Sequence, residues 1–327
     1  GDRMNTRRKL VIALGAGALG ISFTTVAQTQ KVRRIGILFG GSRSFPPLLA
    51  FIQEFRRLGY IEGQNASIVS RVAEGDLERL PALAAELVAG KVELIFAHST
   101  VAVQAARQAT ASIPIVFSVV SDPVGSGFVS SLGRPGGNIT GMASVTRELS
   151  AKRLQILKEA FPGASRVAVL STDEPHVPPQ LDEVQQAAKR LGMNVLITQV
   201  LRQGDFEPGH KLLRSWRADS IYAIESVKNV FNRALLAEFA AQIRLPAIYA
   251  QSQFADAGGL ISYGASYEEL YRRAAVYVDK ILKGARPADL PVEQPTLFEL
   301  VINMKTAKAL GIKISNPILL RADKVIE

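Results

Sequence analysis

Three polar residues, His98-Ser99-Thr100, stand where a strand-like apolar stretch (residues 93–97) ends and a helical pattern (residues 101–109) begins. The first N–H groups of a helix lack partners within it and carry partial positive charge, so they attract carboxylates. We therefore predict that Ser99 and Thr100 anchor an anionic group of a small molecule, and that Thr100 also caps the helix. Serine and threonine at such a position are also ordinary N-caps, and that alternative stays open.

Other candidate contacts are polar or aromatic residues that follow apolar, strand-like stretches. In parallel α/β sheets, ligands bind at the carboxyl ends of the strands, where the connecting loops diverge. Polar side chains there exchange hydrogen bonds with a ligand, and aromatic side chains pack against its rings. Ordinary loop, turn, surface or core-edge roles are the alternatives. Besides Ser99 and Thr100, the predicted ligand contacts are Ser42, Ser44, Phe45, His98, Ser118, Thr172, Asp173, Glu225, Tyr249 and Tyr263.

The sequence lacks the motifs that usually carry catalysis, metal ions or cofactors. Its three histidines, His98, His176 and His210, are far apart in sequence, and the chain contains no cysteine. That composition excludes disulfides, thiolate metal sites, cysteine nucleophiles and lipid attachment to an N-terminal cysteine. Neither a G-x-S-x-G elbow nor a phosphate-binding loop occurs. We predict no catalytic residues, no metal and no cofactor; an exported α/β enzyme is the alternative that turnover of a ligand would reveal.

Residues 4–27 have the features of a secretory signal peptide. The basic residues Arg7, Arg8 and Lys9 precede an apolar run over residues 10–23, and small residues lead up to Ala27. The run is short for a bilayer core of about 30 Å. A G-x-G-x-x-G match inside it does not follow a strand, so it does not indicate a dinucleotide site. We predict a signal peptide over residues 1–27 and a periplasmic protein; a retained membrane anchor is the alternative.

The formal net charge of +10 raises the question of a nucleic-acid partner. Such partners are bound by basic residues that cluster on one surface, often with interleaved aromatic residues. Here the lysines and arginines are scattered over the helical patterns. This distribution indicates a solvated basic surface, and we predict no nucleic-acid partner.

Beyond the leader, short apolar stretches alternate with amphipathic helical patterns. The alternation predicts an α/β fold with parallel sheets and helices on both faces. It occurs in two series that are separated by a Gly/Pro-rich stretch at residues 133–137. We therefore predict two Rossmann-like lobes with parallel sheets joined by a hinge. The expected boundaries are residues 31–143 plus about 265–290 for the N-terminal lobe, and residues 144–264 plus about 291–327 for the C-terminal lobe.

Individual elements follow from capping and spacing. Asp76 stands directly before apolar residues at helical spacing, which predicts that its side chain caps this helix. A strand is predicted at residues 113–119 and one uninterrupted helix at residues 230–243. A long helix at residues 267–282 and a strand–helix piece at residues 298–310 follow the two series, and we expect both to cross back between the lobes.

From Ile35 onward the sequence resembles the ABC-transporter substrate-binding proteins related to tryptophan- and tyrosine-binding periplasmic proteins. The resemblance implies a type I periplasmic-binding-protein fold with three crossovers between lobes. It also implies delivery of the ligand to an ABC permease in the inner membrane. The stretches that carry it are residues 58–65, 113–117, 122–124, 134–141, 258–264, 290–296 and 298–303.

The sequence departs from the amino-acid-binding branch at one informative place. Members of that branch carry a Thr-Asp-Asn stretch after the strand that corresponds to residues 220–224, whereas this chain has Glu225-Ser226-Val227-Lys228. Glu225 is the candidate to replace the missing Asp opposite an α-ammonium group. We predict a monomeric solute-binding protein of an ABC importer that closes on a small carboxylate-bearing ligand, either aromatic or an amino acid. A sensor that presents the solute to a membrane receptor is the alternative.

Overall fold

The computed structural model describes residues 32–327. The predicted signal peptide lies outside these described residues. Within them, no helix is long and apolar enough to cross a membrane.

The first sheet contains five parallel strands in the order β2-β1-β3-β4-β5. Strands β3, β4 and β5 are fully buried, as expected for strands that helices cover on both faces, whereas the edge strand β2 is mostly half-buried. The strands are β1 (Arg33–Phe39), β2 (Ala66–Val72), β3 (Leu94–His98), β4 (Ile115–Val120) and β5 (Ile139–Ala143). The helices between them are α1 (Pro47–Arg57), α2 (Leu80–Ala89) and α3 (Thr100–Ala109).

The second sheet contains seven strands in the order β12-β11-β10-β9-β8-β6-β7. All neighbours run parallel except β10 and β11, which are antiparallel. The strands are β6 (Arg166–Leu170), β7 (Asn194–Thr198), β8 (Ser220–Ala223), β9 (Ala247–Tyr249), β10 (Ile261–Ala265), β11 (Phe298–Asn303) and β12 (Lys324–Ile326). Its helices are α4 (Thr146–Ala160), α5 (Pro178–Arg190), α6 (Phe206–Trp216), α7 (Val227–Phe231), α8 (Arg233–Gln242), α9 (Ser252–Asp256), α11 (Met304–Leu310) and α12 (Asn316–Leu319).

The chain passes between the sheets three times. It leaves β5 for α4 through residues 144–145, and it leaves β10 for α10 (Tyr267–Leu282) through Ser266. Helix α10 packs against α1 and against β3, β4 and β5, so it belongs to the first sheet. Residues 283–297 then lead back to β11. We call these three segments the first, second and third crossings.

The two-sheet α/β fold with mostly parallel strands confirms the predicted fold class, and the structure corrects several details. Strands β5 and β12 were not predicted. At Gly141 in β5, a Cβ atom would collide with the carbonyl oxygen of Phe117, so glycine is needed for this close approach. The helix predicted at residues 230–243 is divided into α7 and α8 at Asn232. Asp76 precedes a short 3-10 turn, and its side chain does not cap it.

Candidate ligand-binding site

The carboxyl ends of the two sheets meet at two neighbouring cavities. The inner cavity has a volume of about 20 Å³ and is lined by residues that follow β1, β3 and β8, together with Tyr267 of α10. The outer cavity has a volume of about 730 Å³ and lies between the N-terminal ends of α2, α3 and α5. His176 lines both cavities, while the adjacent residues Ser99 and Thr100 line the inner and the outer one respectively. The two cavities are therefore neighbours that share His176 as a lining residue.

The first-sheet wall of the inner cavity is aromatic. The ring of His98 lies 4.7 Å from that of Phe39 and 5.6 Å from that of Phe45. Phe45 also packs near Tyr267 and Tyr271, with ring centroids 6.4 and 6.2 Å apart. Such edge-to-face and tilted packing stabilises aromatic clusters and leaves ring faces and edges available to a ligand.

His98 is neutral in this wall. Burial lowers its pKa to about 3, because the charged imidazolium loses its hydration. Its Nδ1 lies 2.6 Å from the hydroxyl oxygen of Tyr271, whose pKa burial raises well above its ordinary value. Both partners are uncharged at physiological pH, so the pair fixes the ring position without adding charge to the cavity.

Ser99 occupies the N-cap of α3 in an unusual conformation. Its φ is 79° and its ψ 159°, and its N–H donates to the carbonyl oxygen of Ser118 at 3.0 Å. N-cap residues that cap with their side chain usually have β-region angles. The Ser99 hydroxyl does not cap α3 and has no hydrogen-bond partner among the described residues. The prediction that Thr100 is the cap is therefore wrong: Thr100 is the first helical residue and lines the outer cavity.

Glu225 supplies a buried carboxylate on the opposite wall. Its Oε1 accepts a hydrogen bond of 2.5 Å from the Tyr267 hydroxyl, which in turn accepts one of 2.9 Å from Gln251 Nε2. Burial, and then the charge of Glu225, raise the pKa of Tyr267, so this hydroxyl stays protonated and donates. Glu225 Oε2 is buried without a partner in the described part of the chain. A carboxylate only accepts, so the group that complements Oε2 must be a donor.

A second buried carboxylate, Glu174, orders the loop beside Glu225. It accepts hydrogen bonds from the N–H groups of Val227 (3.0 Å) and Lys228 (2.9 Å), and His176 Nε2 lies 3.9 Å away. His176 Nδ1 has no partner within the described residues. Glu174, His176 and Tyr267 were not predicted as site residues. The polar triplet Glu174-Pro175-His176 close behind β6 was the available signal, by the same strand-end argument that selected Thr172 and Asp173.

The structure places the remaining predicted residues in the inner cavity, in the outer cavity or outside both. Ser42, Phe45, His98, Ser99 and Glu225 line the inner cavity, and Thr100 and Asp173 the outer one. Ser44 is exposed beside the Ser42 hydroxyl, at 3.0 Å. Thr172 is buried and donates to Glu174 at 3.4 Å.

Three more predicted contacts, like Ser44 and Thr172, line neither cavity. Ser118 is buried in β4, and its hydroxyl has no partner in residues 32–327. Tyr249 is buried in the core and stacks on Phe254 at 4.6 Å, because its side chain projects from β9 into the packed face of the sheet. Tyr263 stacks on Phe298 at 6.5 Å.

The described residues contain no group of three or more His, Cys, Asp or Glu side chains able to hold a metal ion. The polar atoms available to a ligand are therefore those of the cavity walls. They include one carboxylate oxygen, one serine hydroxyl and one imidazole nitrogen, each buried and without a protein partner in the described chain: Glu225 Oε2, Ser99 Oγ and His176 Nδ1.

Comparison with known proteins identifies the family. The profile of the family described as ABC transporter substrate binding protein matches residues 50–326. The chain belongs to this family. Membership confirms the resemblance seen in the sequence and the prediction that the chain is a solute-binding protein and not an enzyme.

Individual relatives of this ABC substrate-binding protein have known ligands. The tyrosine-binding protein of Clostridioides difficile (strain R20291) is 28% identical over 325 residues, covering 94% of this chain and 93% of the relative. The crystal structure of an ABC domain from Streptococcus pneumoniae in complex with L-Trp matches with a TM-score of 0.80 and 25% identity, covering 90% of this chain and 100% of that chain.

A third comparison concerns conformation. The ligand-free, open structure of a substrate binding protein with adhesive properties from Clostridium difficile is 28% identical, covering 90% of this chain and 99% of that chain, but its TM-score is 0.65. The L-Trp complex is less similar in sequence and yet has the higher TM-score of 0.80. The overall structure is therefore more similar to the L-Trp complex than to the open structure.

Proposed function

We propose that this protein is the periplasmic solute-binding component of an ABC importer and that it captures its solute in the inner cavity. The observation that carries the proposal is the pair of buried polar atoms, Ser99 Oγ and Glu225 Oε2, which lie on opposite walls of one cavity and have no hydrogen-bond partner within residues 32–327. Buried polar groups without hydrogen-bond partners are rare in folded proteins, and they cost free energy unless a ligand or a water molecule forms hydrogen bonds with them. A ligand that satisfies both atoms joins the two walls.

The chemistry of the walls favours an amino acid with an aromatic side chain. Glu225 Oε2 accepts a hydrogen bond from an α-ammonium group, while Ser99 and the first N–H groups of α3 donate to a carboxylate. Phe45 and His98 provide ring surfaces for the side chain. The relatives that bind tyrosine and L-Trp support this ligand class.

Binding requires the two walls to separate and then to close around the ligand, farther apart than in the structure described here. A cavity of about 20 Å³ has room for roughly one water molecule, whereas small-molecule sites usually have volumes of about 300–1,000 Å³. We propose that the lobes, residues 31–143 plus about 265–290 and residues 144–264 plus about 291–327, rotate about the three crossings. The likeness to the L-Trp complex supports a closed arrangement in the structure described here. Contacts formed only in the closed state then stabilise it.

Export and transport complete the proposal. The basic and apolar leader over residues 1–27 supports secretion to the periplasm, and the family supports docking of the closed form on a permease. A monomer suffices for this role, because each chain contains both walls of the cavity.

Isothermal titration calorimetry tests the proposal with L-tyrosine, L-tryptophan, phenylpyruvate and tyramine. The last two lack the ammonium and the carboxylate respectively. We expect one of the amino acids to bind with micromolar or tighter affinity, and the two truncated compounds to bind at least about tenfold more weakly. Equal affinity for an amino acid and its truncated analogue would contradict the two-wall assignment. Hydrolysis or other turnover of the bound compound would contradict the binding role.

A further inference from the structure

Arg153 of α4 is the largest charged side chain buried in the described structure. Only 1% of its surface is exposed, and none of the ion pairs found within residues 32–327 involves it. A buried guanidinium without a carboxylate is costly, so its hydrogen bonds must compensate and its position calls for a reason. It lines neither cavity.

The guanidinium joins the ends of two crossings. Its Nε donates to the carbonyl oxygen of Tyr263 at 2.7 Å, just before the second crossing. Its Nη1 donates to the carbonyl oxygen of Thr146 at 3.3 Å, where the first crossing enters α4, and lies 3.5 Å from the Tyr222 hydroxyl. Arginine suits this task because its planar fork holds several donors in fixed directions, which a lysine ammonium does not.

The first crossing contains a strained residue directly beside these bonds. Val145 has a φ of 47° and a ψ of 31°, the left-handed region, which is an outlier for a β-branched side chain. Such strain persists only where the surroundings hold it in place. The carbonyl oxygen of Thr146, which follows Val145, accepts hydrogen bonds from Arg153 and from the Ser150 hydroxyl, the latter at 3.1 Å. Thr146 Oγ1 donates to the Ser144 hydroxyl at 3.1 Å.

The opposite ends of the crossings are fixed by a separate group. Glu293, in the third crossing, accepts two hydrogen bonds from Arg273 of α10, at 2.9 and 2.6 Å. Its backbone exchanges hydrogen bonds with Gly141 (3.0 Å) and Ala143 (2.8 Å) of β5. Because both ends are held, the few residues between them must absorb any rotation of one sheet against the other, and Val145 is the strained one among them.

We propose that Arg153 is a positioning residue that holds Val145 in its strained conformation and thereby favours the closed arrangement. The inference rests on the proposed closure of the two lobes. Without the Arg153 hydrogen bonds, Val145 relaxes to a negative φ, the first crossing swings, and the open arrangement gains population. Ligand affinity then falls by the factor by which the binding-competent population falls.

The experiment measures the distance between spin labels on α2 and α5 by pulsed electron–electron double resonance. Since the chain has no cysteine, spin labels are placed on Ala85→Cys and Gln185→Cys, two exposed positions that line neither cavity. In this background we compare Arg153→Lys, Val145→Gly and the double variant. Arg166→Lys is the matched control, because Arg166 Nε also donates to a backbone carbonyl, that of Trp216 at 2.7 Å, but away from the crossings.

We expect Arg153→Lys to lower the ratio of closed to open molecules roughly tenfold, as strain of this kind allows. Val145→Gly should raise that ratio, because glycine adopts a positive φ without strain. The double variant should return toward the wild type, since no strained residue is left for Arg153 to hold. Arg166→Lys should match the wild type.

Two results would overturn the role of Arg153: a wild-type distance distribution for Arg153→Lys, or a double variant no closer to the wild type than Arg153→Lys alone. A purely structural role would lower the melting temperature without this rescue. If Arg153→Lys does not fold, Val145→Gly alone tests the proposal. A closed fraction of Val145→Gly that is equal to or smaller than that of the wild type would then contradict it. The distances are measured without ligand, so they test Arg153 even if L-tyrosine and L-tryptophan do not bind.

Discussion

The two walls of the inner cavity are built from different chemistry. The first-sheet wall consists of rings and a neutral histidine, with the Ser99 hydroxyl at the start of α3 as its polar element. The second-sheet wall presents the carboxylate of Glu225, with Glu174 and His176 beside it. One wall thus offers donors and apolar surface, and the other offers an acceptor. The proposed amino-acid ligand therefore needs both walls, because its ammonium group complements the carboxylate of Glu225 and its carboxylate group complements the donors at Ser99.

The largest effect is expected on the second-sheet wall, at Glu225. Glu225→Gln keeps the size of the side chain but removes the charge that complements an α-ammonium group. Loss of a hydrogen bond to a charged group costs about 1.5–3 kcal/mol, so calorimetry should show L-tyrosine or L-tryptophan affinity lowered up to about a hundredfold. Asp256→Asn is the control, because that carboxylate is exposed, pairs with Lys324 at 3.0 Å and lines neither cavity. Equal losses in both variants would contradict the assignment of Glu225 to the ammonium group.

On the first-sheet wall, we expect buried His98 to make the free energy of unfolding depend on pH. Burial lowers the pKa of His98 to about 3, from 6.5 in the unfolded chain. Below pH 6.5 the unfolded state therefore binds a proton that the folded state excludes, and stability falls as the pH falls. The slope approaches about 1.4 kcal/mol per pH unit below pH 6.5, so the loss is about 1.6 kcal/mol between pH 6.5 and pH 5. This window lies above the range in which most carboxylates titrate.

Urea unfolding at several pH values measures this slope. His98→Asn keeps an acceptor for Tyr271 but removes the titrating group, so its free energy of unfolding should vary less between pH 6.5 and pH 5 than that of the wild type. If His98→Asn keeps the wild-type pH slope, His98 is not the group that causes it, and the neutral state assigned to His98 in the folded protein is wrong.

The strand–helix repeat made part of this candidate site predictable from sequence. Ser42, Phe45, His98, Ser99 and Glu225 lie at or just after the carboxyl ends of strands, and parallel strands bring such residues to one edge of a sheet. Tyr249 was selected by the same rule but lies in the core, because a strand of three residues does not reveal which side chains face inward.

The rest depended on contacts between distant parts of the chain. Tyr267 reaches Glu225 only because α10 returns to the first sheet, and the sequence pattern did not specify which face of that helix meets the cavity. The strained conformations of Ser99 and Val145 likewise depend on tertiary contacts, since neither residue type favours a positive φ. Local propensity therefore predicted the elements and tertiary packing selected the site.

A smaller effect is expected at Ser99, where we propose that the first-sheet wall contacts the ligand carboxylate. Ser99→Ala removes one neutral donor whose hydroxyl has no partner in the described protein. We expect calorimetry to show amino-acid affinity lowered about tenfold, with the affinity for tyramine unchanged because it has no carboxylate. Ser44→Ala, in the exposed loop after β1, should leave both affinities at the wild-type value. A similar loss for tyramine would place the Ser99 contact elsewhere on the ligand.

The smallest effect is expected for Thr100, the residue that follows Ser99, on the free energy of unfolding. A threonine that caps a helix costs about 1 kcal/mol when it is replaced by alanine. Thr100 is the first residue inside α3 and its N-cap neighbour Ser99 makes no side-chain cap, so Thr100→Ala should change the free energy of unfolding by less than about 0.5 kcal/mol in urea titrations. Asn303→Ala is the positive control, because the Asn303 side chain accepts a hydrogen bond from the Thr306 N–H at the start of α11. It should lose about 1 kcal/mol or more. A loss of that size in Thr100→Ala would mean that its hydroxyl caps α3 in solution, and the N–H groups assigned to the ligand carboxylate would then be partly occupied.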